Sequence, residues 1–292
     1  MQNNTQSKVA LSTYSHWFYL PAAIIFIIFF IVPTILAFYF SMTRWTLFDA
    51  TFIGFENYLM FFSDRMLTTG LRNTIIYAIL TSSLKVVLSL PLAVLLTSRI
   101  HLKGLLRGMI FFPVLVSTIA VGITFSAIMQ PSLGLINVTL GFLGLPQPDW
   151  LGNPALALYS VALVDVWKGV GIATVIFMAA IVSIPQDYFE AVSLEGGAWA
   201  KFWHITIPLT RNATFTVILL SFIGGLRSFD LIWAMTRGGP GFASDVLTSV
   251  IYKQYQAGFY GLSTAGNVVL FIMVTCIVYP LMRYFNRKEI DL

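Results

Sequence analysis

Five ionisable side chains fall inside long apolar runs of this 292-residue chain: Lys85, Asp165, Lys168, Arg227 and Asp230. A charge is costly in hydrocarbon, so each is a candidate for a solute or proton path, or for pairing inside a helix bundle. Asp165 and Lys168 stand three residues apart, and so do Arg227 and Asp230. On a helix that spacing sets opposite charges on one face, where they neutralise each other locally. Lys85 has no such neighbour and either pairs across helices or snorkels. A proton relay needs acidic groups strung across the core. Two aspartates, each beside a base, do not make one.

Other chemistry is poorly supplied. The chain has no G-x-x-x-x-G-K-[ST] phosphate loop, no H-E-x-x-H and no G-x-S-x-G. His16, His101 and His204 are scattered near the ends of apolar runs and read as interfacial side chains rather than ligands or bases. A single cysteine, Cys276, excludes an intramolecular disulfide and a Cys-based zinc site, and reads as a small buried hydrophobe. Neither catalysis nor a resident metal or cofactor is expected.

The elements that must position these charges are membrane helices. The chain is 58% hydrophobic and 10% charged, whereas soluble domains run near 25% charged. That balance excludes a soluble enzyme, a disordered chain and a nucleic-acid binder. The surplus of 17 basic over 12 acidic residues marks cytoplasmic loops instead. A span needs about 20 apolar residues, and six segments qualify: 17–41, 73–97, 108–129, 154–181, 212–235 and 262–284. The first is far longer than a signal-peptide core and is read as a retained helix.

The expectation is therefore an all-α membrane protein with six transmembrane helices. Residues 1–16 form a cytoplasmic tail and 17–292 a single membrane domain. With the N-terminus inside, nine bases fall in the inner segments (Lys8, Arg99, Lys103, Arg107, Lys201, Arg211, Arg283, Arg287 and Lys288). The outer segments hold five: Arg44, Arg65, Arg72, Arg237 and Lys253. The bias places both termini in the cytoplasm. The outer stretch 130–150 is apolar, carries Pro131, Pro146 and Pro148, and has room for a short interfacial helix.

One inner loop, 184–210, does not read as a connector. Connectors of this length are usually polar and turn-rich, but this one has helical periodicity. Tyr188, Ala191, Val192 and Leu194 fall on one side ahead of Gly196-Gly197, and Trp199, Phe202, Trp203 and Ile207 form a second stripe that ends at Pro208. The pattern is helix, glycine turn, helix. Such a hairpin either rests on the headgroups or docks on a protein. Surface-lying helices carry Lys or Arg on the polar face, whereas the first piece offers Asp187, Glu190 and Glu195. Acidic groups there favour a basic groove on a protein partner.

At these residues the chain resembles a family. Glu190-Ala191-Val192, then Gly196, then Ile205-Thr206-Ile207-Pro208 is similar to the EAA loop of ABC-importer membrane subunits. Ala191-Val192 stands where Ala-Ala is usual, Glu195 where Asp is usual, and Gly196 to Ile205 is one residue shorter than the common spacing. Further blocks lie at Phe52-Ile53-Gly54-Phe55-Glu56-Asn57-Tyr58, Val166-Trp167-Lys168-Gly169-Val170-Gly171, and Ser228-Phe229-Asp230-Leu231-Ile232-Trp233 followed by Gly238-Gly239-Pro240. Together they resemble the MalF-like branch of carbohydrate ABC permeases from about residue 17 onward, with a type I, MetI-like core.

The resemblance implies a complex in the bacterial inner membrane. It comprises this permease, a second homologous permease, two cytoplasmic ATPase subunits that bind ATP and magnesium, and an extracytoplasmic sugar-binding protein. It implies ATPase coupling through Glu190, Ala191, Glu195, Gly196 and Gly197, with Gly196 allowing the tight turn. It also implies sugar contacts from the fourth and fifth spans, which fall on Gly169, Ile172, Ser221, Gly224, Gly225 and Ser228. Where maltose-type proteins use amides and an aromatic, this chain has glycines and serines. The same small residues also suit close helix packing. A carrier or channel that needs no ATPase is the alternative from another class.

Overall fold

A computed structural model describes residues 16–46, 48–193 and 196–286. In chain order, α1 (Trp17–Ser41) is followed by a hairpin of β1 (Thr43–Trp45) and β2 (Ala50–Phe52), then α2 (Glu56–Ser63) and α3 (Arg65–Thr97). Next come α4 (Lys103–Leu115), α5 (Thr118–Ile128), α6 (Leu135–Phe142) and α7 (Ala157–Val182). The last third holds α8 (Gln186–Ser193), α9 (Ala198–Leu209), α10 (Arg211–Leu226), α11 (Asp230–Met235), α12 (Leu247–Gln256) and α13 (Tyr260–Asn286). Helix dominates, at 76%. The short antiparallel hairpin, with Arg44 opposite Thr51, is the one departure from an all-α chain among the described residues. The tail expected at 1–16 lies outside them apart from His16.

Four helices, α1, α3, α7 and α13, are long and apolar enough to cross a bilayer. The count rises to six if two bent pairs each make one span: α4 with α5, bent by 101°, and α9 with α10, bent by 68°. The third expected span, 108–129, is therefore not one helix. Pro113 removes a hydrogen bond from the last turn of α4, and Val116 and Ser117 then take extended backbone with ψ of 139° and 133°. The fifth, 212–235, is also interrupted. Helix α10 ends at Leu226, Phe229 leaves helical geometry at φ −138°, and α11 starts afresh at Asp230. The carbonyl of Ser228, freed by this break, accepts from the Thr248 hydroxyl.

Helix α3 begins eight residues before the expected span, because Asp64 caps it. The Asp64 carboxylate accepts from the backbone N–H of Met66 at 2.7 Å and of Leu67 at 3.2 Å. A short helix does lie between 130 and 150, as α6. Its Asn137 is buried, donates to the carbonyls of Pro131 and Pro148, and accepts from the Trp150 indole at 2.7 Å.

The packing centre is α3 against α7. Tyr77 on α3, Val161 and Val164 on α7, Val121 on α5 and Ile232 on α11 form one apolar cluster. Leu90 and Ala93 on α3, Phe177 and Ile181 on α7, and Val217 on α10 form a second cluster. Gly171 and Gly225 allow backbones to meet: a Cβ would sit 2.6 Å from the Ile110 carbonyl oxygen at the first and 2.6 Å from Ala78 Cα at the second. Helix α1 packs on α13 but leaves its apolar side chains exposed, Trp17 and Phe29 among them. Cys276 is exposed on α13, not buried, because it points away from the face of the helix on which Val274 and Val278 pack.

Candidate functional site

The interhelical charge pair is the first feature of the site. Lys85 is buried on α3, and its Nζ lies 2.7 Å from Oδ2 of Asp165 on α7. The sequence reading paired Asp165 with Lys168. The structure gives Asp165 to Lys85 instead, and Lys168 makes no ion pair among the described residues. Arg227 and Asp230 do not pair either. The break after Leu226 puts them on different elements, and both side chains are exposed.

Lys85 reaches Asp165 across Gly169. A Cβ at Gly169 would fall 2.6 Å from Lys85 Cε and 2.9 Å from Nζ, so any larger residue there would displace the ammonium. Beside this crossing lies a cleft of about 140 Å³, lined by Lys85, Gly169, Ile172, Ile176, Leu220 and Ser221 among others. Three residues singled out for a solute path, Gly169, Ile172 and Ser221, are thus brought together around one charged group. Gly224 has nothing within 4 Å of an added Cβ and is exposed; Gly225 instead serves the contact with α3. Ser228 is half-buried at the helix break. Tyr77, two turns before Lys85 on α3, is fully buried close to Asp165 and Ser228, and among the described residues its hydroxyl has no partner in good hydrogen-bond geometry. Sequence reasoning missed this tyrosine, although its i, i+8 spacing to Lys85 places it on the same helix face.

The second feature is the hairpin of α8 and α9. The helix, glycine and helix order holds, with Gly196-Gly197 ahead of α9. Glu195 lies outside the described residues, whereas Glu190 and Ala191 are exposed on α8. At Gly196 the requirement is steric: a Cβ would sit 2.5 Å from that of Ala200. A π turn at Phe202–Thr206 widens α9 just before Pro208, which leaves room for a ring with no N–H to donate. Trp199 and Trp203 project outward, 73% and 49% exposed. Behind the hairpin, a cleft of about 600 Å³ separates it from the ends of α3 and α7, with Arg99 and Lys201 on its walls.

The third feature is a clamp that the sequence did not announce. Asn73 on α3 donates to the carbonyls of Ala243 and Asp245, both at 2.9 Å. The backbone N–H of Leu247 donates to Thr74 Oγ1 at 2.7 Å. These bonds fix the segment that follows Gly238-Gly239-Pro240. The buried Asp245 accepts from Ser249 and Lys253, each at 2.7 Å. Likewise, the Phe52–Tyr58 block is structural. Asn57 donates to the carbonyls of Ser41 and Thr43, and Tyr58 meets the Ser41 hydroxyl at 2.6 Å.

Residues 67–290 match the family of binding-protein-dependent transport system inner membrane components. The chain belongs to that family. It is accordingly a transport-system membrane component and not an enzyme. The permease protein MalF of the trehalose/maltose transport system of Thermococcus litoralis is 31% identical over 98% of this chain and all of that protein. The permease protein NgcF of the diacetylchitobiose uptake system of Streptomyces coelicolor is 34% identical over 90% of this chain and 79% of that one. Among solved structures, a bacterial alginate ABC transporter in complex with a pentasaccharide-bound periplasmic protein contains a chain with a TM-score of 0.80. It is 21% identical, over 93% of both chains. For this family member that likeness establishes the fold.

Proposed function

We propose that this chain is one of two membrane subunits of an ATP-driven importer for a sugar or oligosaccharide. The observation that supports it most is the near full-length similarity to permeases named for trehalose/maltose and diacetylchitobiose. The cleft at Gly169, Ile172 and Ser221 fits the reading, since small residues and one hydroxyl beside a charged group leave room for a polar ring. A second, homologous permease completes the path, and a binding protein delivers the solute from outside.

Two cytoplasmic ATPases bind ATP and magnesium, and one of them seats the α8–α9 hairpin. Glu190 meets a basic residue of that ATPase. Both termini are then cytoplasmic, and the segment around Asp245 faces outward. ATP-driven closure of the ATPase pair moves the hairpin as a rigid arm and biases the spans between inward-open and outward-open packings. It does so by the difference in affinity for the two states. The test is uptake of radiolabelled trehalose, maltose and diacetylchitobiose into proteoliposomes holding the full complex. ATP-dependent, vanadate-sensitive uptake supports the assignment; uptake driven by an ion gradient alone overturns it.

A further inference from the structure

The Lys85–Asp165 crossing does more than hold two helices together. Lys85 Nζ has three hydrogens, and its one described hydrogen bond is to Asp165 Oδ2. Asp165 in turn has an oxygen, Oδ1, with no described hydrogen bond, and its side chain is 23% exposed. The attraction within a buried ion pair offsets its desolvation only with good geometry and further hydrogen bonds to both partners. Of the two, Lys85 lines the cleft that contains Gly169 and Ser221, with Asp165 holding its ammonium at 2.7 Å. A pure tether would be better served by apolar packing, as in the clusters above and below it. The cleft also stays empty of side chain at Gly169, where even a methyl group would meet the ammonium.

We propose that Lys85 lines the solute path with its charge balanced by Asp165, and that the pair selects uncharged, hydroxyl-rich solutes, the ammonium donating to hydroxyl groups. This rests on the carbohydrate reading above and adds a specificity determinant to it. The pair carries no net charge. A neutral sugar exchanges hydrogen bonds with the ammonium at little cost, whereas a carboxylate on the sugar finds that ammonium's charge already spent on Asp165, whose own charge repels it.

The experiment uses the full reconstituted complex and two probes that differ only in charge. One is maltose, and the other is maltose with its non-reducing C6 oxidised to a carboxylate. In Asp165→Asn the ammonium is uncompensated, and the ratio of oxidised to neutral uptake rises roughly tenfold. In Lys85→Met the ratio falls. A tether alone would lower both uptakes together, and an unchanged ratio in both variants overturns the inference while leaving the carbohydrate importer intact. If neither single variant assembles, Lys85→Met/Asp165→Asn, which leaves no unpaired charge, decides. The expected result is a KM for maltose raised roughly tenfold with kcat kept; an unchanged KM overturns the inference. Absence of any sugar uptake by the wild-type complex removes the carbohydrate reading itself, and this inference with it.

Discussion

The carboxylate of Asp245 is completely buried, yet it holds the ammonium of Lys253, eight residues on, at 2.7 Å. Burial pushes its pKa above the ordinary 3.8, against the opposing pull of Lys253 and Ser249. With the folded value raised, the folded state binds more protons than the unfolded one above pH 3.8. This carboxyl therefore contributes its extra stability at the acid end and loses it as pH rises through the folded value. The stability margin of wild type over Asp245→Asn should narrow as pH rises from about 4 through the raised folded value. Thermal unfolding of the two proteins in detergent across that range measures it, and a margin that widened with pH would contradict the sign.

Asn73→Ala should cost roughly 1–3 kcal/mol, because the carbonyls of Ala243 and Asp245 lose their shared donor in a buried site. The loss should be local as well as global. Faster hydrogen exchange confined to 238–250 is the expected readout, and exchange unchanged there would rule out the clamp.

Gly224 and Gly225 are neighbours with opposite tolerances. Gly225→Val would drive methyl groups into the Ala78 backbone, and overpacking of this kind costs about 1–3 kcal/mol. Gly224→Ala meets nothing and should leave stability within about 0.5 kcal/mol. Size-exclusion profiles after heating rank the two variants directly.

Glu190→Lys reverses a charge on the exposed face of α8. The complex should still assemble and hydrolyse ATP, while uptake falls at least roughly tenfold, as like charges meet at the docking site. Parallel measurements of hydrolysis and uptake test this, and wild-type uptake would dismiss the assignment.

Much of the architecture can be read from the chain because hydropathy and periodicity are local. The apolar runs mark α1, α3, α7 and α13, and the Gly196-Gly197 pair separates α8 from α9. What cannot be read this way depends on dihedral angles or on distant partners. Hydropathy does not register the extended backbone at Val116 and Ser117, nor the break after Leu226, since the runs stay apolar through both. Lys85 and Asp165 are 80 residues apart, and no spacing rule couples them. The local three-residue rule proposed Lys168 because only the helix itself was visible to it. Asn73 is farther still from its acceptors at Ala243 and Asp245, by 170 and 172 residues. The glycines divide in the same way: one sequence signature serves a cleft at Gly169 and a helix crossing at Gly225, and only the facing residue separates them.

The passage of Lys85 over Gly169 also sets a rule for how this protein can diverge. With Cε only 2.6 Å from where a Cβ would stand, alanine at 169 obliges the flexible end of Lys85 to move off its crossing, and a shorter residue at 85 removes that demand. The two positions form an epistatic couple, each setting the cost of change at the other. Permeases that have traded one member of the couple should have traded the other.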